Sequence, residues 1–85
     1  MKVYLIYGIS DCPACLKAQA LLMEQDKEYV FINADFSKTY RDAIKEEFVW
    51  KTFPIVIKVT QDREELVGGY DDLLYVLEKE QLTPT

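Results

Sequence analysis

The chain has 85 residues, of which 49% are hydrophobic, and it carries a formal net charge of −5. We expect one domain over residues 1–85, with enough apolar side chains to build a core. The dispersed acidic charge argues against nucleic acid as a partner, because phosphate binding needs a basic patch. No apolar run is long enough for a membrane span or a signal peptide, so we expect a soluble protein of the cytoplasm. We also expect a monomer.

The first strand and the first helix are predicted from apolar patterns. Val3–Tyr7 is a continuous apolar run, which predicts a strand covered on both faces. A helix is predicted from Pro13 to about Asp26. Two apolar stripes run along it, one formed by Ala14, Ala18, Leu21 and Leu22 and the other by Leu16, Ala20 and Met23. So apolar a helix is expected to pack against a sheet rather than lie half in water.

Cys12 and Cys15 lie at the start of this helix. This spacing covers about one helical turn, so the two sulfurs can share a face and form a disulfide. Pro13 suits the first helical position, which puts Cys12 at the N-cap. There the unpaired backbone N–H groups and the helix dipole favour a thiolate and lower the thiol pKa. Cys12 is therefore the candidate nucleophile and Cys15 the resolving thiol.

Two simpler interpretations of the cysteines remain open at this point. They could form half of a zinc site, but such a site needs further ligands, and the chain has no His and no other Cys. They could also be inert, buried small hydrophobes. The proline between them and their place at a strand-to-helix junction argue against the inert interpretation.

The middle of the chain predicts a second strand and a second helix. Tyr29–Asn33 has strong strand propensity, and a strand, a helix and a strand make a unit with parallel strands. Ser37 can cap a helix over about Lys38–Phe48. Its apolar stripe, which we assign to the core, consists of Tyr40, Ala43, Ile44 and Phe48.

The last third of the chain predicts a hairpin and a final helix. The hairpin joins Ile55–Val59 to a short edge strand at Glu65–Val67. After Gly68-Gly69, the acidic pair Asp71-Asp72 opens the last helix, and the tail from Leu82 onwards is expected to fray. The order β-α-β-α-β-β-α predicts an α/β domain with helices on a small mixed sheet.

Three motifs in this order carry a resemblance to a known family. They are Cys-Pro-x-Cys after the first strand, Thr-x-Pro before the third and Gly-Gly-x-Asp-Asp after the fourth. From Val3 to about Glu80 the chain resembles the short dithiol glutaredoxins of bacteria and phages. The resemblance implies the thioredoxin-like fold, a four-stranded mixed sheet flanked by three helices.

The resemblance also implies an activity, glutathione-dependent reduction of disulfides. Cys12 would attack a protein disulfide or a glutathione mixed disulfide, and Cys15 would resolve the product. The implied partners are glutathione, as reductant, and disulfide-bearing client proteins, with ribonucleotide reductase among them. No resident metal is expected.

The resemblance implies seven glutathione-binding residues, which are Lys51, Phe53, Pro54, Gly69, Tyr70, Asp71 and Asp72. Pro54 matches the family's cis-proline, which exposes the backbone of the preceding residue to the cysteinyl part of glutathione. Gly69 permits close backbone approach, and the three residues after it receive the γ-glutamyl end. Lys51 matches a position that commonly meets the glycyl carboxylate. On the residues alone, a plain turn, a helix cap and a solvated lysine are the open alternatives.

The chain departs from the family pattern around the cysteines. Ala14 replaces a common tyrosine, Ile9 a common lysine and Phe53 a common valine, while Asp11 puts a carboxylate beside Cys12. Because like charge opposes thiolate formation, we predict a Cys12 pKa that is lowered, but less than in a lysine-bearing relative.

Two other functions remain as alternatives to glutathione-dependent disulfide reduction. One is a thioredoxin-like electron carrier recharged by a flavoprotein reductase. The other is a non-enzymatic [2Fe-2S] module, against which Pro13 argues, since cluster-binding relatives usually carry another residue there.

Overall fold

The computed structural model describes residues 2–82, which form four strands and three helices. The elements are β1 Lys2–Gly8, α1 Pro13–Glu24, β2 Glu28–Asn33, α2 Lys38–Phe48, β3 Ile55–Thr60, β4 Glu64–Gly68 and α3 Tyr70–Leu82. The sheet order is β2-β1-β3-β4, in which β1 is parallel to β2 and antiparallel to β3, and β4 is antiparallel to β3. The predicted thioredoxin-like sheet is confirmed. The tail predicted to fray begins at Leu82, which the structure places as the last residue of α3, and the rest of that tail, 83–85, lies outside the described residues.

The sheet has a buried cluster on each face, because side chains alternate between the faces along each strand. On the face of α1 and α3, the cluster consists of Tyr4, Ile6, Ala18, Leu22, Val56, Leu73 and Leu77. On the face of α2, it consists of Ala34, Ile44, Ile55 and Ile57, with Leu5 and Tyr7 of β1 packed against it. The prediction that the first strand is covered on both faces is therefore confirmed.

One predicted stripe of α1 does not face the sheet. Leu16 is 66% exposed and Met23 is 64% exposed, and Ala20 is exposed as well. The expectation that both stripes pack against the sheet was wrong for this one. Helix α1 packs on one face of the sheet and buries one of its own sides through Ala18 and Leu22. Its opposite side is exposed to solvent.

The predicted start of the second helix is confirmed, whereas the first helix ends earlier than predicted. Ser37 caps α2 by accepting a hydrogen bond from the Tyr40 N–H at 3.2 Å. The first helix ends at Glu24, before the predicted Asp26, which adopts a left-handed φ of 59° in the turn. Ala43 is exposed, so its assignment to the core was wrong.

No helix within residues 2–82 has both the length and the apolarity to cross a membrane.

An ion pair connects the start of β1 to the end of α3. Lys2 Nζ lies 2.6 Å from Glu80 Oε1, and the Tyr4 hydroxyl donates to Glu80 Oε2 at 3.0 Å. Partial burial opposes ionisation of Glu80, but the hydrogen bonds from Lys2 and Tyr4 outweigh it and lower the pKa of Glu80. Burial, followed by the hydrogen bond to Glu80, raises the pKa of the Tyr4 phenol.

Glu80→Gln is expected to lower the free energy of unfolding at neutral pH by about 1–2 kcal/mol. A carboxyl whose pKa is lowered on folding stabilises the fold above its unfolded pKa, and this contribution is lost as pH falls through the folded pKa. The difference between variant and wild type should therefore shrink between pH 7 and pH 3 in urea unfolding. Glu78→Gln, on the exposed side of α3, is the control. A difference that is constant with pH would contradict this assignment.

Candidate active site

The two cysteines meet where β1 gives way to α1. Cys12 is the N-cap residue, with extended backbone, and Pro13 is the first helical residue, as predicted. The cysteine sulfurs are joined in a disulfide, with Cα atoms 5.2 Å apart. The Cys15 N–H lies 3.1 Å from Cys12 Sγ, and Cys15 is only 1% exposed. After reduction, this N–H and the positive end of the helix dipole stabilise a thiolate at Cys12.

The loop before β3 lies against this disulfide. The Phe53–Pro54 peptide bond is cis, as the resemblance implies. Cys12 Sγ lies 3.9 Å from the carbonyl oxygen of Phe53. Lys45 Nζ lies 5.4 Å from the centroid of the Phe53 ring. The backbone carbonyl of Phe53 thus lies beside the sulfur that we predict to be reactive.

A groove of about 310 Å³ borders this loop. Its lining consists of Ala14, Trp50, Thr52, Phe53, Pro54, Gly69, Tyr70, Asp71 and Asp72. The fold therefore brings together all the predicted glutathione-binding residues except Lys51. Lys51 is exposed and lines a separate pocket, which shares Trp50 with the groove.

The start of α3 forms one end of the groove. Asp71 and Asp72 lie in its first turn, as predicted, and the Asp72 carboxylate accepts a hydrogen bond from the Gly69 N–H at 3.0 Å. Gly68 has a φ of 122°, a conformation that glycine adopts readily. A Cβ placed on Gly69 would lie 3.8 Å from the Pro54 carbonyl oxygen and 3.9 Å from Asp72 Oδ2. Gly69 therefore leaves space between polar groups at the floor of the groove.

Trp50 lines the groove but was not predicted as a residue of the site. Its indole Nε1 is buried and has no hydrogen-bond partner within residues 2–82. It lies 3.8 Å from the Cβ position of Gly69, beside the polar floor of the groove. A single large aromatic residue just before Thr-x-Pro was the available signal, but the pattern does not say which way such a side chain points.

Comparison with known proteins identifies the family. A family model described as Glutaredoxin matches residues 4–64 of the chain. The chain belongs to the glutaredoxin family. The matched segment includes Cys12, Cys15 and Pro54 and ends before the Gly-Gly-x-Asp-Asp motif. Among curated protein sequences, no match to this glutaredoxin is found.

Solved structures agree with the family and the fold. A glutaredoxin from Brucella melitensis is 30% identical, with 93% of this chain and 82% of that chain covered and a TM-score of 0.72. Reduced Escherichia coli glutaredoxin is 22% identical, with 95% and 99% covered and a TM-score of 0.71. A buckwheat glutaredoxin–glutathione complex is 17% identical, with 93% and 71% covered and a TM-score of 0.74. With its Cys12–Cys15 pair, this glutaredoxin is a thiol–disulfide oxidoreductase.

Proposed function

We propose that this glutaredoxin uses glutathione as its reductant and that Cys12 is the nucleophile. The observation that carries the proposal is the groove, which is lined by the Cys12-contacting residue Phe53 and extends to the N-terminus of α3. Glutathione has a thiol in the middle of a short peptide and charged groups at both ends. The groove is lined by a residue whose carbonyl lies beside the Cys12 sulfur and by the N-terminus of a helix, so it offers a partner for each of these groups.

The residues present fit the tripeptide. The backbone of Phe53 would pair with its cysteinyl part, beside Cys12 Sγ. The N-terminal amides of α3 would receive the γ-glutamyl carboxylate, and the carboxylates of Asp71 and Asp72 would attract the γ-glutamyl ammonium group. Lys51, which lines the neighbouring pocket together with Trp50, would attract the glycyl carboxylate as an exposed point charge.

Trp50 adds a further argument for a polar ligand in this groove. A buried N–H without an acceptor costs about 1–3 kcal/mol, so a ligand oxygen that accepts from the indole N–H of Trp50 would remove this cost. The indole Nε1 is covered in the ligand-free chain. A local movement would therefore be needed before a ligand oxygen near Gly69 could accept from this N–H.

The proposed reaction is a sequence of thiol–disulfide exchanges. The Cys12 thiolate attacks one sulfur of a client disulfide, and the other client sulfur leaves and takes up a proton. Cys15 then loses its proton and attacks Cys12 Sγ, which closes the Cys12–Cys15 disulfide and releases the second client thiol. One glutathione opens this disulfide by bonding to Cys12, and a second removes the first as glutathione disulfide. Two electrons pass to the client in each cycle.

The proposed setting is the cytoplasm, where the chain acts as a monomeric electron carrier to protein disulfides. Thiols are kept reduced there, so a dithiol with a glutathione supply is regenerated after each cycle. Ribonucleotide reductase is proposed as one client on the strength of the family resemblance alone.

The test is reduction of a glutathione mixed disulfide on a small peptide, with electrons supplied either by glutathione and its reductase or by thioredoxin reductase. We expect turnover with glutathione. Turnover with thioredoxin reductase alone would leave the fold and the cysteines in place but would contradict the glutathione site. Iron-derived visible absorbance after anaerobic purification would favour the cluster-binding alternative instead.

Binding itself can be followed at one residue, because Trp50 is the only tryptophan in the chain. The indole N–H gives a single side-chain proton resonance in a ¹⁵N-labelled protein. Forming the glutathione mixed disulfide on Cys12 in a Cys15→Ser variant should shift this resonance downfield. An unshifted resonance would contradict the contact between Trp50 and the ligand.

A further inference from the structure

The loop before Cys12 is held by the loop that follows β2. The backbone N–H of Ser10 donates to Asp35 Oδ2 at 3.0 Å, across 25 positions of sequence. Arg41 Nη1 donates to the backbone carbonyl of Asp35 at 3.0 Å and lies 3.4 Å from its Oδ1. The hydrogen bonds from Ser10, together with the charge of Arg41, hold the pKa of Asp35 below its ordinary value. Asp35 is therefore ionised at neutral pH.

Between Ser10 and Cys12 the backbone adopts an unfavourable conformation. Asp11 has a φ of 51°, in the left-handed region, which a non-glycine residue occupies at a cost in free energy. Such a conformation persists when the structure on both sides fixes it. Here Asp35 holds the preceding residue, and α1 holds the following one, since Cys12 Sγ accepts from the Cys15 N–H.

We propose that Asp35 is a positioning residue for the nucleophile. By holding Ser10, it fixes the turn at Asp11 and so places Cys12 Sγ against the N–H groups of the first turn of α1. Asp35 touches no reacting atom and acts through the backbone alone. The inference rests on the proposed role of Cys12, but it does not depend on glutathione.

The carboxylate of Asp35 has two effects of opposite sign on the Cys12 thiol. Its negative charge disfavours a thiolate nearby, whereas its hydrogen bond to Ser10 keeps the thiolate in favourable geometry. Asp35→Asn removes the charge but keeps an oxygen that can accept from the Ser10 N–H. Asp35→Ala removes both. We therefore expect a higher Cys12 pKa in Asp35→Ala, and a pKa equal to or below that of wild type in Asp35→Asn.

The experiment measures alkylation of Cys12 by iodoacetamide against pH, in a Cys15→Ser background so that one thiol reacts. Asp35→Ala should raise the Cys12 pKa by about 0.5–1 unit, which is a three- to tenfold slower alkylation below the pKa. The matched control is Asp42→Ala. Like Asp35→Ala, it removes one negative charge, but from a residue within α2. Asp42 is exposed and pairs with Lys38 at 2.8 Å, so its loss should leave the Cys12 pKa unchanged.

A Cys12 pKa in Asp35→Ala at or below that of wild type would overturn the proposal, because the charge would then be the dominant effect. An equal rise in Asp35→Asn and Asp35→Ala would also overturn it, since the hydrogen-bond acceptor would not matter. If Asp35→Ala does not fold, Arg41→Gln decides. Arg41→Gln removes the guanidinium that holds Asp35, so it should raise the Cys12 pKa by less than Asp35→Ala would. An unchanged Cys12 pKa in Arg41→Gln would refute the positioning role of Asp35. Because alkylation uses no glutathione, failure of the glutathione proposal leaves this test unaffected.

Discussion

Cys12→Ser is expected to reduce turnover to the uncatalysed rate with every disulfide substrate, whereas Cys15→Ser should keep part of its activity with a glutathione mixed disulfide. The sulfur of Cys12 lies at the helix N-cap beside the Phe53 carbonyl, and Cys15 is buried one turn further on. A chain that keeps Cys12 can still exchange with a glutathione mixed disulfide, so Cys15→Ser should stay within about tenfold of wild type there. With an intramolecular protein disulfide, the same variant should form a mixed disulfide and stop.

Two assays in parallel separate these results. One follows reduction of a glutathionylated peptide, and the other follows reduction of a protein disulfide, with trapped species identified by mass spectrometry. Thermal unfolding of each serine variant controls for loss of the fold. Activity of Cys12→Ser on either substrate would assign the attack to Cys15. Full activity of Cys15→Ser on the protein disulfide would mean that no resolving thiol is needed.

Local signals in the sequence were sufficient for the order of elements and for the geometry at Cys12. A proline at the first helical position and a serine before α2 define helix starts through their own backbone preferences. These preferences act over a few residues, so they survive in the folded chain, as the caps at Cys12 and Ser37 show. The family motifs then placed Pro54 and Gly69 beside one another at the groove.

Contacts between distant segments could not be predicted in the same way. The hydrogen bond from Ser10 to Asp35 depends on β1 and β2 ending at the same edge of the sheet. The residues around Asp35 in the sequence do not predict it. The direction of the Trp50 indole depends on how the α2–β3 loop packs. The exposure of Leu16 shows a related limit, because apolar content does not say which face of a helix meets the sheet.

At Gly8 the core lies close to the disulfide. Gly8→Ala is therefore expected to lower the free energy of unfolding and to slow the attack of Cys15 that closes the Cys12–Cys15 disulfide. A Cβ on Gly8 would lie 2.6 Å from Phe31 Cε1 and 3.1 Å from Cys15 Sγ. Such overpacking typically lowers the free energy of unfolding by about 1–3 kcal/mol. The Phe31 ring must shift, and pressure on Cys15 Sγ should slow closure of the Cys12–Cys15 disulfide. Urea unfolding and stopped-flow measurement of closure after single-turnover attack test the two effects.

Gly69→Ala is the matched control, because a Cβ there meets its nearest neighbours at 3.8 Å, an ordinary contact distance. An added methyl group without strain also reduces the entropy of the unfolded chain, so stability should be unchanged or raised by up to about 1 kcal/mol. The same methyl group would occupy the polar floor of the groove and should raise the KM for glutathione. Equal destabilisation by both substitutions would contradict the packing argument at Gly8. An unchanged KM in Gly69→Ala would contradict placement of the ligand against Gly69, whatever the fate of Gly8→Ala.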